Sequence, residues 1–303
     1  QRCLLRHDRL KELSLSARIS HVALNSNTPT PIATMYETLF GLELDMSLGS
    51  PERGEILSDG NVLLNIRPRV PGQRVGVDHF GIEVEDIEAI FAKLKADYPA
   101  IGWVKQPDDG AIGTYFAHDP AGTIFSLSQG GAVSGDRPVD RPVSANFARW
   151  SDGNPSQRYL QHYAIRTRKL EECADFYEDV FGFRHKKPAA GDPNHYLSDG
   201  RMTLILIQWS IQDYGGISVT GRGPDHIGFK VEDSAKVQGE IEGYATHFAP
   251  GNAPMWLLNT VNRTTDENQI RSKMVADSNP VSQYQFTDRD GVFVVVSDET
   301  LEV

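Results

Sequence analysis

Four histidines stand at two pairs of matching positions in this sequence of 303 residues. His21 and His79 belong to the first half, and His162 and His226 belong to the second. A neutral imidazole can bind a divalent metal ion through a ring nitrogen, and it can take up or release a proton near pH 7. Two imidazoles on neighbouring strands supply half of a facial metal site or an acid–base pair. We therefore take these histidines as the first candidates for catalytic or metal-binding residues.

The positions match because the sequence contains an internal repeat. The segment HVALNSNTPTPIATMYETLFG, which starts at His21, aligns without gaps on HYAIRTRKLEECADFYEDVFG, which starts at His162. Three more landmarks follow in each half: LSDG at 57–60 and 197–200, DH at 78–79 and 225–226, and a D-x-x-G turn at 119–122 and 288–291. Four landmarks in the same order indicate two copies of one domain.

Each copy is predicted to contain two βαβββ modules. HVALN and HYAIR alternate apolar and polar residues as strands do, a helix follows each of them, and LSDG is typical of a hairpin turn. The predicted fold class is therefore α+β with tandem βαβββ modules. The predicted segments are an arm at 1–16, domain 1 at 17–129, a linker at 130–157, and domain 2 at 158–303 with an insertion at about 244–284.

This order of elements, with one histidine on the first strand and another on the fifth, resembles the vicinal oxygen chelate superfamily of glyoxalases, bleomycin-resistance proteins and extradiol dioxygenases. The resemblance covers nearly the whole chain outside the arm and the linker. It implies that each domain forms a curved mixed sheet, or cup, around a divalent metal ion bound by the first, fourth, fifth and eighth strands. The implied ligand positions are His21, Asn65, His79 and Ser126 in domain 1, and His162, Ile205, His226 and Val295 in domain 2.

Neither set contains the carboxylate that such metal sites normally use. Members of the superfamily with a metal usually carry Glu four residues after the glycine of the turn, where this chain has Ser126 and Val295. The resemblance implies Fe(II) or another divalent ion, Mn or Zn, with the third ligand left open. His247, Asp266 and Glu267 of the insertion are candidates for it. Alternatively, the histidines act without a metal as general acids or bases.

Other side chains are expected to contact the substrate. Asn65 and Ser126 belong to the more polar set of domain 1, whereas Trp256 and Tyr284 lie in and beside the insertion of domain 2. Core packing is the alternative role for these two aromatic residues. Arg67 could hold a substrate carboxylate, or it could be a solvated surface charge. The sequence leaves open which domain is active, although active extradiol enzymes use their second domain.

The leading functional prediction is a metal-dependent enzyme that resembles the extradiol ring-cleaving dioxygenases and acts on a small aromatic or vicinally oxygenated substrate. One alternative is a lyase, isomerase or hydrolase on the same fold, with or without a metal. Another is a ligand-sequestering protein of the resistance type, which binds a molecule in the cup without changing it. The missing carboxylates favour both alternatives over dioxygenation.

Composition argues against other classes of function. The 30 basic and 41 acidic residues give a formal charge of −11, which repels nucleic acid and anionic membranes, and no basic cluster offsets it. No apolar run reaches the roughly 20 residues of a membrane span. The two cysteines indicate neither a disulfide framework nor a thiolate zinc site. We therefore expect a cytoplasmic protein with a small-molecule substrate, and the arm at 1–16 is expected to pack on the domain or to form a homodimer contact.

Overall fold

The computed structural model describes residues 17–45, 54–106, 112–130, 158–186, 191–209, 223–247, 255–256 and 281–303. The predicted arm, nearly all of the predicted linker and most of the predicted insertion, with Asp266 and Glu267, lie outside these residues. Among the described helices, none is long and apolar enough to cross a membrane.

Within its described residues, domain 1 contains eight strands and two helices. They are β1 (Ala17–Ser26), α1 (Pro29–Phe40), β2 (Glu43–Leu44), β3 (Glu55–Ser58), β4 (Leu63–Pro68), β5 (Gly76–Val84), α2 (Ile87–Asp97), β6 (Trp103–Lys105), β7 (Tyr115–His118) and β8 (Ile124–Gln129). This order is βαβββ followed by a second βαβββ, as predicted.

Domain 2 repeats the series. Its elements are β9 (Tyr159–Thr167), α3 (Leu170–Phe181), β10 (Arg184–Lys186), β11 (His195–Ser198), β12 (Thr203–Gln208), β13 (Gly223–Lys230), α4 (Ser234–His247), β14 (Met255–Trp256), β15 (Tyr284–Asp288) and β16 (Phe293–Ser297). The prediction of an α+β fold with four βαβββ modules is therefore confirmed.

Each domain is built on one eight-stranded mixed sheet. The strand order is β2-β3-β4-β1-β5-β8-β7-β6 in domain 1 and β10-β11-β12-β9-β13-β16-β15-β14 in domain 2. In domain 1, β1 is parallel to β4 and antiparallel to β5, and β5 is parallel to β8. The first, fourth, fifth and eighth strands are therefore the four neighbours at the centre of the sheet.

The strands separate an apolar face from a face that carries the candidate residues, because successive side chains of a strand point to opposite sides. On β1, Val22 and Leu24 join the main core, whereas His21 and Ala23 face the other way. The same alternation places Leu64 in the core and Asn65 on the face of His21. We call this second face cup 1 in domain 1 and cup 2 in domain 2.

The first helix of each domain packs against the other domain. Phe40 of α1 stacks on Phe229 of β13 with ring centroids 3.9 Å apart, and it also lies 6.3 Å from Phe286. In the opposite direction, Phe181 of α3 meets Phe125 of β8 edge to face at 5.7 Å. One continuous apolar core therefore joins the two domains.

Two pairs of duplicated residues hold the domains together reciprocally. Asp59 of the first LSDG turn accepts a hydrogen bond from the backbone N–H of Leu160, at 2.9 Å, and Asp199 of the second accepts one from Ile19, at 2.6 Å. These aspartates also close their own turns, as the sequence predicted. The repeated motif thus forms a hairpin and an inter-domain contact at once.

A second reciprocal pair joins each first helix to the D-x-x-G turn of the other domain. The hydroxyl of Tyr36 donates to Asp288 at 3.2 Å, and the hydroxyl of Tyr177 donates to Asp119 at 3.4 Å. Both carboxyls are buried. The two domains are therefore related as if by a twofold axis, and their buried polar contacts repeat with the sequence.

Candidate functional site

Cup 1 brings together all four of the residues that the family resemblance implied for domain 1. His21 of β1 is in register with Gly81 of β5, which is in register with Ser126 of β8. Ala23 is in register with both Asn65 of β4 and His79 of β5. Because partners in register share a face, His21, Asn65, His79 and Ser126 lie on two adjacent rungs of one sheet face.

The two imidazoles of cup 1 are neighbours with nearly perpendicular rings. Their centroids are 5.6 Å apart and the interplanar angle is 85°. His21 is completely buried, and this burial, together with the charges of His79 and Arg67, lowers the pKa of His21 well below 6.5. Burial also lowers the pKa of His79, against the opposing effect of Asp78. Both rings are therefore neutral at physiological pH.

Hydrogen bonds assign the tautomer of His21. The Ser20 hydroxyl donates to the carbonyl of Gly81 at 3.3 Å, so it accepts from Nδ1–H of His21 at 3.2 Å. The lone pair of His21 is then on Nε2, which lies 3.2 Å from the hydroxyl of Ser126. The basic nitrogen of His21 therefore faces the fifth and eighth strands of the cup.

The ring of His79 is held by an aspartate and an arginine. Nδ1 of His79 lies 2.6 Å from Asp78, whose same oxygen accepts from Arg67 at 2.7 Å. Burial raises the pKa of Asp78, but the hydrogen bond and charge of His79 and the charge of Arg67 outweigh it and hold that pKa below its usual value. Asp78 is thus a carboxylate that accepts a hydrogen bond from Nδ1–H of His79, and Nε2 of His79 carries the lone pair.

A glycine lies directly against each first-strand histidine. A Cβ atom on Gly81 would come within 1.9 Å of Cε1 of His21, and one on Gly228 would come within 1.8 Å of Cε1 of His162. Real Cβ atoms do not approach other atoms so closely. Each imidazole therefore occupies space that exists only because the facing residue of the fifth strand is glycine.

Cup 2 repeats the histidine pair. The rings of His162 and His226 are 5.2 Å apart with an interplanar angle of 89°. Asp225 lies 2.7 Å from Nδ1 of His226 and 2.6 Å from Nε of Arg166. The arginine comes from the first strand here and from the fourth strand in cup 1, yet the Arg–Asp–His chain is the same.

The lining around the histidines of cup 2 is apolar and covered. Ile205 stands where cup 1 has Asn65, and Ile207 stands where it has Arg67. With Ala164 and Tyr196 they form a separate apolar cluster against which Leu301 and Val303 pack.

The segment 299–303, which follows β16, is fixed over this cluster. The side chain of Gln161 donates to the carbonyl of Glu299 at 3.1 Å and accepts from the N–H of Leu301 at 2.8 Å. Lys186 donates to the carbonyl of Glu302 at 2.8 Å. The chain itself therefore covers the apolar part of cup 2.

Cup 1, in contrast, contains buried polar atoms without a hydrogen-bond partner. They are Oδ1 of Asn65, Nε of Arg67, Oε2 of Glu83 and Oγ of Ser128. Their neighbours along the strands, including Leu64, Ile82 and Leu127, belong to the core, so all four side chains face the cup. A buried polar group without a partner costs about 1–3 kcal/mol. Four such atoms on one face set cup 1 apart from a fully hydrogen-bonded interior.

Comparison with known proteins agrees with this architecture. The family model of the glyoxalase/bleomycin resistance protein/dioxygenase superfamily matches residues 159–296, which span the strands of domain 2. The match covers one of the two domains, and the other domain repeats its fold. Among curated proteins, no sequence matches the chain.

Several solved structures resemble the chain over almost its full length. The Mn(II)-bound glyoxalase from Novosphingobium aromaticivorans has a TM-score of 0.59 at 14% identity, covering 95% of this chain and 84% of its own. The 2,3-dioxygenase LapB from Pseudomonas sp. KL28 has a TM-score of 0.58 at 14% identity, with coverages of 94% and 92%. BphC, a halotolerant catechol dioxygenase, has a TM-score of 0.55 at 13% identity, with coverages of 96% and 89%. At such identities these likenesses establish the fold.

Cup 1 fits the divalent metal ion that the superfamily implies better than cup 2 does. Within the described ranges, no cluster of three or more histidine, cysteine, aspartate or glutamate side chains could hold a metal ion. Cup 1 nevertheless offers the basic nitrogens of His21 and His79, and the buried, unpartnered amide oxygen of Asn65 lies on the rung of His79. Cup 2 has Ile205 and Val295 at the two remaining positions. The donor set of cup 1 is two nitrogens and one neutral oxygen.

The other residues predicted from the sequence lie elsewhere. Tyr284 belongs to the main core, and its register partner Val296 lies on the face of β16 opposite to Val295. His247 is exposed at the end of α4. Trp256 forms strand β14 with Met255, and its side chain lies outside the described residues.

Several residues of the site were not singled out from the sequence. Asp78 precedes His79 in the sequence, and Gly81 lies against the ring of His21. Both recur in the second copy, as Asp225 and Gly228. The shared pattern D-H-x-G therefore contained a signal for them. Glu83 and Ser128 carried no such signal, because their role depends on which strand face they occupy.

Proposed function

We propose that this chain is a divalent-metal-dependent enzyme that acts on a small aromatic or vicinally oxygenated compound in cup 1. The observation that carries the proposal is the contrast between the cups. Cup 1 combines a neutral histidine pair with unpartnered polar atoms, whereas the corresponding positions of cup 2 are isoleucine and valine. Domain 2 then serves as the scaffold that completes the shared core.

His21, His79 and Asn65 are the residues that would hold the ion, with Fe(II), Mn or Zn as the expected metals. Such an ion supplies Lewis-acid polarisation of two neighbouring substrate oxygens. Asp78 fixes the orientation of His79, and Gly81 leaves room for the ring of His21. The hydroxyl of Ser126, 3.2 Å from Nε2 of His21, would contact a substrate oxygen.

A metal-free reaction is the second candidate, and one observation favours it. Both basic nitrogens of cup 1 belong to neutral imidazoles, and no carboxylate completes a metal site among the described residues. A neutral His79 whose Nδ1–H is held by Asp78 can take a proton at Nε2 as a general base, because the imidazolium that forms is stabilised by the aspartate. This arrangement suits a lyase or an isomerase.

Metal content distinguishes the two candidates. Wild-type protein, purified without chelator and without a nickel affinity step, would be analysed by inductively coupled plasma mass spectrometry beside His21→Ala and His162→Ala. We expect about one equivalent of iron, manganese or zinc in the wild type and in His162→Ala, and none in His21→Ala. Oxygen uptake with catechol then tests ring cleavage. Protein that stays metal-free, even after anaerobic addition of Fe(II), would exclude the first candidate and leave the second.

A further inference from the structure

A third pair of histidines lies outside both cups, on the helix side of the sheet of domain 2. His185 of β10 is in register with Leu197 of β11, and His195 lies two residues before Leu197 on the same strand. Leu197 belongs to the main core, so both rings face the core side of the sheet, on which α3 packs. The side chain of His185 is 2% exposed and that of His195 is 3% exposed. The rings are therefore shielded from water, although β10 is an edge strand.

The two rings and two glutamates of α3 form an unbroken chain of polar contacts. Nδ1 of His185 lies 3.0 Å from Oε2 of Glu178, and Nε2 of His185 lies 2.9 Å from Nδ1 of His195. Nε2 of His195 lies 3.4 Å from Oε1 of Glu171. Both glutamates are mostly exposed to solvent. The chain thus runs from one carboxylate to the other through all four ring nitrogens.

The three contacts of this chain require three protons, because a carboxylate oxygen can only accept and two ring nitrogens share one proton. Two neutral imidazoles bring only two protons. In a neutral pair, one contact therefore sets a ring lone pair against another lone pair. One added proton completes all three contacts, whereas a second would place two charged rings with nitrogens 2.9 Å apart in a buried site. The chain accommodates one positive charge between two negative ones.

Negative charge dominates the surroundings of the pair. Asp175 lies between the two glutamates on the exposed flank of α3 and adds a third carboxylate. The basic residues of β10, Arg184 and Lys186, point to the opposite face of the sheet, because successive side chains of a strand alternate. Asp192 accepts from the hydroxyl of Tyr196 on that opposite face. The neighbouring strand β12 has no charged residue. The charge that faces the rings is therefore negative and favours a protonated pair.

We propose that His185 and His195 bind one proton between them, and that this proton holds α3 against β10 and β11. The proton site is separate from both cups and independent of the function proposed for cup 1. Helix α3 carries Tyr177, which donates to Asp119 of domain 1, and β10 carries Lys186, which holds the segment over cup 2. The proton therefore joins the helix at the domain interface to the strand that supports this segment. On the alkaline side of neutrality the proton leaves, and one contact of the chain is lost.

Domain 1 joins its first helix to the same strands without histidine. Leu44 and Glu55 stand at the positions of the two histidines. Thr30 stands at the position of Glu171, and its hydroxyl donates to Glu55 at 2.7 Å. This arrangement contains no imidazole and keeps its charge near neutral pH. The fold thus supplies a matched variant of domain 2, which combines His185→Leu, His195→Glu and Glu171→Thr.

The experiment follows the histidine rings by NMR in full-length protein with isotope-labelled histidine, at about pH 6 and about pH 8.5. We expect three ring protons on the pair at the lower pH and two at the higher. Hydrogen exchange, corrected for its intrinsic pH dependence, would be measured on the same samples. Protection of the β10 and β11 amides should fall about tenfold at the higher pH, the value of one net hydrogen bond. In the triple variant the protection should stay constant.

Two results would overturn the proton site. The first is a pair that carries two or four ring protons at the lower pH. The second is an equal loss of protection in the wild type and the triple variant, because the loss would then not depend on the histidines. If the triple variant does not fold, His185→Gln with His195→Asn replaces it, since both amides can hydrogen-bond but neither titrates in this range.

Discussion

The two cups of this chain share a scaffold and differ in what lines it. Each has a perpendicular histidine pair, an Arg–Asp–His chain and a glycine under the first-strand ring. Around that common centre, cup 1 presents amide, hydroxyl and carboxylate groups, whereas cup 2 presents isoleucine side chains under Leu301 and Val303. The duplicated parts hold the imidazoles in place, and we propose that the parts that diverged decide what each cup can bind.

If cup 1 is the working site, the histidines of cup 2 are residues that packing preserves without their chemistry. His162 and His226 fill space that the glycine and the neighbouring strands leave for them. Replacing either ring would open a cavity in a well-packed sheet face. A histidine pair is therefore insufficient evidence for a reactive site, and the polar lining carries the distinction.

The largest expected effect separates the cups through their glycines. Gly81→Ala should displace the ring of His21 and abolish Mn(II) binding, because the added Cβ occupies the position of the imidazole. Gly228→Ala should displace His162 at a similar cost in stability, about 1–3 kcal/mol for overpacking, and leave Mn(II) binding intact. Calorimetric titration and thermal melting measure the two effects. Equal loss of binding in both variants would argue against an active cup 1.

The D-x-x-G turns differ between the domains in a way that stability should reveal. Burial, with a further contribution from Asp290, raises the pKa of Asp288 to about 7. Because the folded state favours the protonated carboxyl, its stabilising contribution to the free energy of unfolding is complete below about pH 4. It is lost as the pH rises through 7, a change of roughly 4 kcal/mol. Asp288→Asn should therefore flatten the decline of stability between pH 4 and 7 in urea titrations.

The reciprocal carboxyl is the control for that measurement. Burial also raises the pKa of Asp119, but Ala121 stands there in place of Asp290. Asp119→Asn should change the pH profile less than Asp288→Asn does. An unchanged profile in Asp288→Asn would show that this buried carboxyl does not titrate in that range.

A smaller effect is expected from the aspartates that orient the fifth-strand histidines. Asp78→Asn should lower the affinity for Mn(II) about 10- to 100-fold, since a carboxylate that fixes a ligating imidazole contributes that much. Asp225→Asn makes the same change beside His226 and should leave the affinity unaltered. If calorimetry finds the larger loss in Asp225→Asn, the metal belongs to domain 2.

The smallest effect concerns the cover of cup 2. Replacing Leu301 and Val303 together by alanine removes apolar contacts with the cluster around Ile205. Because both side chains are only partly buried, the cost should be about 1–2 kcal/mol of unfolding free energy, less than for core residues. Mn(II) affinity should stay at the wild-type value. Tighter or additional Mn(II) binding in this variant would reveal a second site beneath the segment.

Much of the fold could be predicted from the sequence because the repeat places each landmark twice. The positions of His21 and His79, and of Asn65 and Ser126, were implied by the family resemblance, and the structure puts them on the four central strands. Periodicity specifies the face of a strand, and the order of modules specifies its neighbours. These local rules predict the strands, and the resemblance supplied their arrangement in cup 1.

The remaining features depend on contacts between distant parts of the chain. The LSDG motif predicts a turn, yet nothing within it indicates that Asp59 reaches the backbone of Leu160. The cover of cup 2 by Leu301 depends likewise on the path of the chain after β16. Tyr284 was expected to contact the substrate, but its side chain lies on the face of β15 that packs into the core. Such relations require the sheet register and the docking of the domains.

The most direct test of the central claim is to locate a bound metal ion by anomalous diffraction. Crystals of the wild-type protein grown with Mn(II) should show an anomalous peak between the rings of His21 and His79, within bonding distance of Asn65, and none between His162 and His226. A peak at the second pair alone would contradict the assignment of the working site to cup 1.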